Sequence, residues 1–376
     1  MNSPILIIAG ENSGDKYGAA LVEEFYTLDP DANFFGIGGP QMRQANVDCV
    51  FGIEDLSMVG IFEVISHLKK VRRIFRVIRG EVRKRKPRAA VLIDSPDFNL
   101  RIAGNLKKLG VPILYYISPT VWAWRSGRLK AIKRHVDRML LIFPFEEKIY
   151  RDNGIPASFV GHPLIERVKP SLSRQEFFQK YGLDPGKKLV ALMPGSRDIE
   201  IRYHMPRLTP ALDPIARNFD VQYILIRAEN IPACDLKDML PAGYRAIPII
   251  KEDIYSCLKA SDLALSSCGT ANLEAALLET PVVAFYRLSS LSYALGIKLM
   301  KIPRFSIVNI LAGKPVIPEL IQNEFTPETL VKTAGDILSS ENKIQAMKAD
   351  FRKIRSSLGQ KKASLNAARE LKSLLG

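Results

Sequence analysis

Residues 261–278 read SDLALSSCGTANLEAALL, and this stretch decides the fold. A short apolar run, 263–265, leads into small polar residues, 266–270, and then into a helical pattern that carries Glu274. The order predicts a strand, a tight turn and a helix whose unpaired N–H groups and positive dipole end form a phosphate site. Glu274 is then placed to accept hydrogen bonds from ribose hydroxyls. The alternative is a plain turn before a helix with a solvated glutamate.

The composition is typical of a soluble globular protein with two domains. The chain has 376 residues, of which 47% are hydrophobic and 25% are charged. Its four cysteines form no C-x-x-C pair, which argues against a disulfide framework or a zinc site and favours a reducing compartment. The N-terminal sequence lacks an export signal, and no apolar run reaches about 18 residues. We therefore expect a cytoplasmic protein.

A strongly basic segment contributes much of the net charge of +15. Between Lys69 and Arg88 there are eleven Lys or Arg residues and one acid, Glu81, and apolar residues recur among them at helical spacing. The pattern predicts a basic amphipathic helix that either lies on an anionic membrane or packs on its own sheet with a solvated basic face. Nucleic acid matches less well as a partner, because the aromatic residues are not interleaved with the cations.

Strand-like apolar runs alternate with helical patterns along the chain, which predicts an α/β protein with doubly wound parallel sheets. We expect two such domains, 1–165 and 166–345, followed by two closing helices within 346–376. The expected strands are 5–8, 34–37, 90–93, 113–117 and 139–143 in the first half, and 189–193, 221–226, 246–249, 263–265 and 282–285 in the second.

Three glycine-containing turns follow predicted strands, where ligands bind in parallel sheets. They are AGENSGD at 9–15, which contains Ser13 and Gly14, MPGSR at 193–197, and SCGT at 267–270. None of them has the spacing of a dinucleotide-binding fold or a P-loop NTPase. Together they predict a nucleoside diphosphate bound between the two domains.

Eight motifs, taken in order from residue 9 to residue 313, resemble the lipid-A-disaccharide synthase family. The most specific are IDSPDFN at 93–99 and SPTVWAWR at 118–125. The matching segments are AGENSGD (9–15), IDSPDFN (93–99), YYISPTVWAWR (115–125), FPFE (143–146), GHP (161–163), PGSR with the following acid (194–200), SCGTANLE (267–274) and NILAG (309–313).

The resemblance implies a GT-B fold: two Rossmann-like domains, an interdomain cleft and a closing helix that returns to the first domain. It also implies inverting transfer of 2,3-diacylglucosamine from UDP to the 6-hydroxyl of 2,3-diacylglucosamine 1-phosphate. The basic segment would then seat a peripheral enzyme on the anionic inner face of the inner membrane. Competing interpretations are another UDP-sugar enzyme, such as a UDP-N-acetylglucosamine 2-epimerase, and a membrane-surface protein without catalysis. A homodimer is left open.

Inverting transfer needs groups that stabilise the charge growing on UDP. We expect the Gly269 backbone, the helix that begins at Thr270 and the Arg197 guanidinium to do so, since arginine can grip two phosphate oxygens at once. Cys268 stands where the family usually has serine, so its backbone is expected to make the contact. The remaining candidates are Ser196, Glu274 and Asn309 at the donor site, and Ser13 and Gly14 in a phosphate or acceptor loop.

Transfer also needs a base that takes the proton of the acceptor hydroxyl. Asp94 ends a predicted strand, where partial burial would raise its pKa toward the working pH, and Asp97 is the second candidate, or else a helix cap. Trp122 and Trp124, just past another strand, either wall the acceptor or acyl pocket or pack in the interior. The sole Asp-x-Asp sequence, Asp29-Pro30-Asp31, is expected to form a turn, so we predict no metal and no cofactor.

Overall fold

The computed structural model describes residues 3–57, 64–122, 127–289, 293, 304–359 and 362–376, which form two compact units. Unit 1 comprises Met1–Glu166 and Leu358–Gly376, and unit 2 comprises Arg167–Ser357. The division of the C-terminal segment differs from the expected one. Residues 346–357 belong to unit 2, and only the last helix belongs to unit 1.

Unit 1 is built on a parallel sheet in which seven described strands follow the order β3-β2-β1-β4-β5-β6-β7. The strands are β1 (Ile5–Ala9), β2 (Phe34–Gly38), β3 (Asp48–Gly52), β4 (Ala89–Ile93), β5 (Ile113–Tyr116), β6 (Arg138–Leu141) and β7 (Ala157–Phe159). The helices are α1 (Asn12–Leu28), α2 (Pro40–Gln44), α3 (Glu54–Ser57), α4 (Val64–Arg85), α5 (Pro96–Lys108), α6 (Arg128–His135), α7 (Glu146–Asp152), α8 (Leu164–Arg167) and, at the C-terminal end, α18 (Ala363–Leu375).

The central strands of unit 1 are continuous apolar runs because both faces of the sheet are covered. All residues of β1 and β4 are fully buried. On one face they pack against α1 and α18, and on the other against α4, α5 and α6. Helix α18 lies directly on α1, so the C-terminal end of the chain completes the core of the N-terminal unit.

Helix α4 carries most of the basic segment, and its described apolar side chains face the sheet. Ile74, Ile78 and Val82 are buried in the core of unit 1, whereas the cations between them are largely exposed. Over these residues the helix therefore packs on its own sheet, as the second interpretation of the pattern has it. Ile61, Ile65 and Leu68, which extend the apolar pattern, lie outside the described side chains.

Unit 2 contains a second parallel sheet, with six described strands in the order β10-β9-β8-β11-β12-β13. The strands are β8 (Lys188–Met193), β9 (Val221–Ile226), β10 (Ile249–Ile250), β11 (Leu263–Ser267), β12 (Val282–Tyr286) and β13 (Glu319–Ile321). The α-helices are α9 (Arg174–Tyr181), α10 (Asp198–Leu208), α11 (Leu212–Phe219), α12 (Ala233–Asp238), α13 (Ile254–Ala260), α14 (Thr270–Leu277), α15 (Ile307–Ala312), α16 (Pro327–Leu338) and α17 (Glu341–Ser357).

Each sheet reverses its strand order once, between β1 and β4 in unit 1 and between β8 and β11 in unit 2. Loops diverge at such a switch point and leave a crevice at the carboxyl ends of the strands, which is where open α/β sheets bind ligands. The three glycine turns and Asp94 all follow one of these four strands. In the described part of the chain, none of the helices is both long and apolar enough to cross a membrane.

Candidate functional site

A cavity of about 450 Å³ opens at the switch point of unit 2, where β8 and β11 end. Its walls come from the two turns that follow these strands, together with the ends of β9 and β12. It is lined by six of the seven residues that sequence reasoning placed at the donor, namely Ser196, Arg197, Cys268, Gly269, Thr270 and Glu274. Segments that are far apart in sequence thus meet at one cavity.

The turn after β8 is held in shape by Glu200, on the first turn of α10. Its buried carboxylate accepts a hydrogen bond from the Ser196 N–H at 2.8 Å and one from the Tyr286 hydroxyl at 3.3 Å. Gly195 lies at φ 144°, and a Cβ there would stand 2.6 Å from the Glu200 Cβ. Only glycine fits this position without displacing the glutamate.

Arg197 projects into solvent at the mouth of the cavity. Its side chain is 71% exposed, and its closest charged partner is Glu200, with 3.8 Å between Nη1 and Oε1. An ion pair this long and this exposed contributes little to stability. The guanidinium can therefore turn toward a diphosphate with little loss of stability.

Helix α14 begins at the cavity, and its first residue, Thr270, is exposed. Gly269, at the N-cap, has no side chain with which to cap the helix, so the first N–H groups and the positive end of the dipole point outward. The turn before it is fixed by Asn272, whose Nδ2 donates to Ser266 Oγ at 2.9 Å and to the Ser267 carbonyl at 3.1 Å. The turn is thus preorganised to bind an anion.

Glu274 lies one turn further along α14 and also lines the cavity. Its Oε1 accepts a hydrogen bond from the Tyr255 hydroxyl at 3.2 Å, and the side chain is half-buried. Apolar residues, Ile226 and Ile254, line the same cavity. The cavity therefore offers hydrogen-bond donors for an anion, a carboxylate that accepts hydrogen bonds, and an apolar wall.

Cys268 lines the cavity, but its backbone N–H is used within the sheet and not for the donor contact that was expected of it. Its N–H donates to the Phe285 carbonyl at 2.8 Å, which extends the pairing of β11 with β12. Burial, and secondarily the negative charge of Glu319, raise the pKa of the thiol, so it stays protonated. A neutral thiol is a weak donor, so the first N–H groups of α14 are the better ligands of this turn.

His204, on α10, holds the turn after β8 in place although it does not line the cavity. It is fully buried, Nδ1–H donates to the Pro194 carbonyl at 2.6 Å, and Nε2 accepts from the Arg287 N–H at 3.0 Å. Burial lowers the pKa of the imidazole, which keeps it neutral and fixes this tautomer. The histidine links the turn after β8 to the end of β12. The only sign of this role in the sequence is that His204 lies on the helix that follows the glycine turn.

Asn309 is not among the cavity-lining residues. Its Nδ2 donates to the Ile317 carbonyl and to Glu319 Oε1, both at 2.8 Å. Its Oδ1 accepts from the Val316 and Ile317 N–H groups at 2.7 and 2.9 Å. All of its hydrogen-bonding capacity is used within unit 2, which assigns it to bracing the segment before β13 rather than to direct contact with the donor.

At the switch point of unit 1, Asp94 and Ser95 both have positive φ, at 48° and 41°. The Asp94 carbonyl accepts from the Tyr115 hydroxyl at 2.6 Å and from Asn99 Nδ2 at 2.8 Å, and these bonds hold the unusual backbone. Burial, and secondarily the charge of Glu11, raise the pKa of the carboxyl group to about 6. Asp94 is thus a carboxylate near neutral pH and still basic enough to take a proton.

The first glycine turn lies against the Asp94 turn. A Cβ on Gly10 would overlap Ser95 Oγ, and a Cβ on Gly14 would stand 3.3 Å from the Ala9 Cβ. Gly14 is buried, and Ser13 is partly exposed in the first turn of α1. The structure therefore brings the Ser13–Gly14 turn and Asp94 to the same edge of one sheet.

Asp97 has different surroundings. It lies in the first turn of α5, with a side chain 74% exposed, and its Oδ1 forms an ion pair with Arg128 at 2.6 Å. The N-cap position belongs to Ser95. The Asp97 carboxylate is therefore exposed and paired with a cation, whereas that of Asp94 is partly buried.

Asp29 of the Asp-x-Asp sequence forms an ion pair with Arg88 at 2.6 Å, between Oδ2 and Nη2. Within the described residues, no three His, Cys, Asp or Glu side chains are grouped closely enough to hold a metal ion.

Comparisons with known proteins agree along nearly the whole chain. A family model described as "Lipid-A-disaccharide synthetase" matches residues 5–372. The lipid-A-disaccharide synthase of Geobacter sulfurreducens is 39% identical over 373 residues, covering 99% of this chain and 97% of that protein. The enzyme of the same name from Solibacter usitatus is 40% identical over 354 residues, covering 94% and 92%.

Solved structures with a similar fold are far more distant in sequence. A UDP-GlcNAc 2-epimerase from Neisseria meningitidis, bound to UDP-GlcNAc, superposes with a TM-score of 0.66 at 10% identity and covers 98% of both chains. MurG from Acinetobacter baumannii superposes with a TM-score of 0.59 at 14% identity, covering 99% of this chain and 100% of that one. These likenesses show the fold alone.

Proposed function

The chain belongs to the lipid-A-disaccharide synthase family, and from that premise we propose how its residues carry out glycosyl transfer. The reaction moves 2,3-diacylglucosamine from its UDP derivative to the 6-hydroxyl of 2,3-diacylglucosamine 1-phosphate, which yields lipid A disaccharide 1-phosphate and UDP. Unit 2 binds the UDP moiety of the donor, and unit 1 supplies the base and binds the acceptor. The cavity at the switch point of unit 2 is the observation that carries this assignment.

The cavity accounts for departure of UDP without a metal ion. As the glycosidic bond to the donor phosphate breaks, negative charge grows on the diphosphate, and the first N–H groups of α14 and the Ser196 hydroxyl can donate to it. Arg197, free to turn, adds a charged bidentate donor. Glu274 accepts hydrogen bonds from the ribose hydroxyls, and Ile226 and Ile254 contact the base.

Asp94 is the proposed base. Inversion in a single displacement requires the acceptor hydroxyl to lose its proton as its oxygen attacks C1 of the donor sugar. A carboxylate whose pKa is raised to about 6 by burial is ionised at neutral pH and accepts that proton more readily than an ordinary aspartate does. The Ser13–Gly14 turn, at the same sheet edge, is the proposed contact for the acceptor phosphate.

The exposed basic face of α4 is the proposed attachment to the cytoplasmic face of the inner membrane, where both acylated substrates reside. Arg72, Arg76, Arg79 and Arg83 are exposed and follow helical spacing. Each cation near an anionic surface contributes about 1 kcal/mol, so four of them contribute about 4 kcal/mol. Because the apolar face of the same stretch is buried in unit 1, the attachment is electrostatic here rather than an insertion of apolar side chains.

The test is UDP release from the acylated donor, with and without the acylated acceptor phosphate. Release that requires the acceptor, with a disaccharide 1-phosphate as product, is expected. Incubation with UDP-N-acetylglucosamine should yield no epimer, whereas an epimerised product would replace this function with the competing one.

The donor site is tested by Arg197→Ala, which should weaken UDP binding by about tenfold through loss of a charge-assisted hydrogen bond. Arg202→Ala is the matched control, because Arg202 is an exposed arginine on the same helix outside the cavity. Equal UDP affinities in the two variants would contradict the assignment of this cavity.

A further inference from the structure

Glu146 is a buried acid to which the mechanism above gives no role. It is 1% exposed and begins α7, just after β6. Its Oε1 accepts from Trp122 Nε1 at 3.1 Å, and its Oε2 accepts from the Phe143 N–H at 3.3 Å. Nearby, Ser118 Oγ donates to the Pro119 carbonyl at 2.9 Å and is hydrogen-bonded to the Tyr150 hydroxyl at 2.7 Å.

The carboxylate bonds to the Trp122 ring and to the Phe143 backbone, and three partly exposed aromatic rings pack together here. We call Trp122, Phe143 and Phe145 the aromatic cluster. The Phe143 and Phe145 rings are stacked, with centroids 5.6 Å apart and planes 7° apart. Trp122 meets both edge-on, with its centroid 5.2 Å from that of Phe145. A ring packed this way offers an apolar surface in a fixed orientation.

The cluster lies at the carboxyl edge of the unit 1 sheet. Trp122 follows β5, and Phe143 and Phe145 follow β6. Strand β5 pairs directly with β4, and Asp94 is the first residue after β4. The apolar rings and the proposed base therefore share one edge of one sheet.

Packing alone does not explain a carboxylate at this position. Burying an ionised acid is costly, and an apolar side chain of similar size would fill the space without that cost. In the described part of the chain no cation pairs with Glu146; the titratable groups beside it are the Tyr150 hydroxyl and, across Phe143, His162, which burial keeps neutral. The carboxylate instead accepts two N–H groups, one from the partly exposed Trp122.

We propose that Glu146 is a positioning residue that fixes Trp122 and, through it, the aromatic cluster as the surface that contacts the acyl chains of the acceptor sugar. This inference rests on the proposed function, because it needs an acylated acceptor bound on unit 1 beside Asp94. It assigns Trp122 to recognition of the acceptor rather than to the interior.

The inference predicts a dependence on pH that differs from that of the base. Burial raises the pKa of Glu146 to about 7, so protonation occurs as the pH falls through that value. The protonated acid loses one of its two acceptor oxygens, Trp122 is released, and the KM for the acceptor rises. The kcat follows Asp94 instead, with a midpoint near 6.

Trp122→Phe and Glu146→Gln test the proposal, with acceptor varied at saturating donor. Trp122→Phe keeps a ring but removes the N–H donor. Glu146→Gln keeps the shape but turns an NH₂ group toward one of the two N–H donors. Both should raise the KM for the acceptor by about tenfold and leave kcat and the KM for the donor within about twofold. Lys148→Gln, an exposed change on the same helix, is the matched control.

Fluorescence supplies a second readout, since the chain has only two tryptophans. In a Trp124→Phe background, the emission of Trp122 should shift with pH around 7 and respond to acceptor, and Glu146→Gln should abolish the pH shift. An acceptor with truncated acyl chains should bind wild type and Trp122→Phe equally.

Two results would overturn the proposal. One is an unchanged KM for the acceptor in both variants when circular dichroism shows that they are folded. The other is a change in kcat and in the KM for the donor that is as large as the change in the KM for the acceptor. Neither is confused with failure of the proposed function, in which the wild type itself would release no UDP from the acylated donor and acceptor.

Discussion

Asp94 shows how a backbone turn can set the chemistry of a side chain. Two consecutive residues with positive φ are uncommon, and here Tyr115 and Asn99 both hydrogen-bond to the Asp94 carbonyl to hold them. The turn keeps the carboxyl group partly buried at the end of β4, and burial raises its pKa. Strain and desolvation at one residue are typical of a functional site rather than of a structural one.

Asp94→Asn should abolish turnover, because the amide cannot accept the proton, while UDP affinity stays within about threefold since UDP binds in unit 2. In the wild type, kcat should rise with pH through about 6. Steady-state UDP release over pH and UDP titration measure the two effects. Asp97→Asn is the control, and loss of turnover in that variant alone would transfer the role of base to Asp97.

The same substitution should stabilise the fold. Folding raises the pKa of Asp94 from 3.8 to about 6, so the ionised carboxyl group destabilises the folded state. The full destabilisation is present above pH 6, and none is present below pH 3.8. Asp94→Asn should therefore raise the free energy of unfolding by about 1–3 kcal/mol at pH 8 and change it little at pH 3.5. Urea unfolding at both pH values checks this, and an equal change at both would point to packing instead.

Gly195→Ala should weaken UDP binding and destabilise unit 2. The new Cβ would meet Glu200 and force an alanine into positive φ, at a cost of about 1–3 kcal/mol. Calorimetric UDP titration and thermal unfolding measure the two effects. Gly80→Ala is the control, since that helical glycine has open space around it and alanine there should stabilise α4 by about 0.5–1 kcal/mol.

At the residue level, sequence reasoning found the ligand-facing turns but not the groups that hold them. Glycines and small polar residues after strands carry a local signal. Glu200 and His204 act through Ser196 N–H and the Pro194 carbonyl, and those contacts exist only once the helix is folded back on the turn. Asn309 shows the converse, because its motif suggested a ligand contact and its amide is used within the fold.

At the level of elements, the central strands could be predicted and the edge strands could not. A strand buried on both faces is a continuous apolar run, as in β1 and β4. Strands β3, β7 and β13 were missed, and each lies at an edge, pairs on one side only and is less buried. The expected strand 246–249 overlaps the observed edge strand β10 (Ile249–Ile250) at Ile249 only.

The division of the two closing helices also follows from packing. Helix α17 buries Met347, Phe351 and Ile354, spaced along one face, in unit 2. Helix α18 buries Ala367, Ala368 and Leu371 against the core of unit 1. Both helices have an apolar stripe, and the stripe alone does not indicate which unit the helix will pack against.

Leu371→Ala should therefore destabilise unit 1 rather than unit 2. The fully buried side chain packs in the same core as α1, and its truncation should cost about 2–5 kcal/mol. Hydrogen exchange should show faster opening in β1 and α1 and unchanged protection in β8 and β11. Ser373→Ala, exposed on the same helix, is the control, and faster exchange spread evenly over both units would contradict the assignment of α18 to unit 1.

At the scale of the whole molecule, the net charge of +15 is unevenly distributed along the chain. Helix α4 presents a row of exposed arginines while its opposite side is part of the core. A rigid helix of this kind can bind an anionic surface without unfolding or reorienting, because no apolar side chain of residues 74–82 has to leave the core. Such binding depends on salt, since the charges remain near water.

Replacement of Arg72, Arg76, Arg79 and Arg83 by glutamine should lower binding to vesicles that contain anionic lipid by about a hundredfold or more, and leave kcat on micellar substrates unchanged. Co-sedimentation over a salt series measures binding, and the wild type should dissociate as salt rises. The matched control replaces four exposed cations of unit 2, Arg202, Lys237, Arg245 and Lys343. If both sets lower binding equally, the protein is held by its total charge and not by α4.

The return of α18 to the first unit has a consequence for biosynthesis. Unit 1 is assembled from two stretches separated by the whole of unit 2, so a chain emerging from the ribosome exposes the apolar face of α1 until its final helix appears. Unit 2, which is continuous, can fold in the meantime. The nascent N-terminal unit therefore stays incomplete until α18 has been translated.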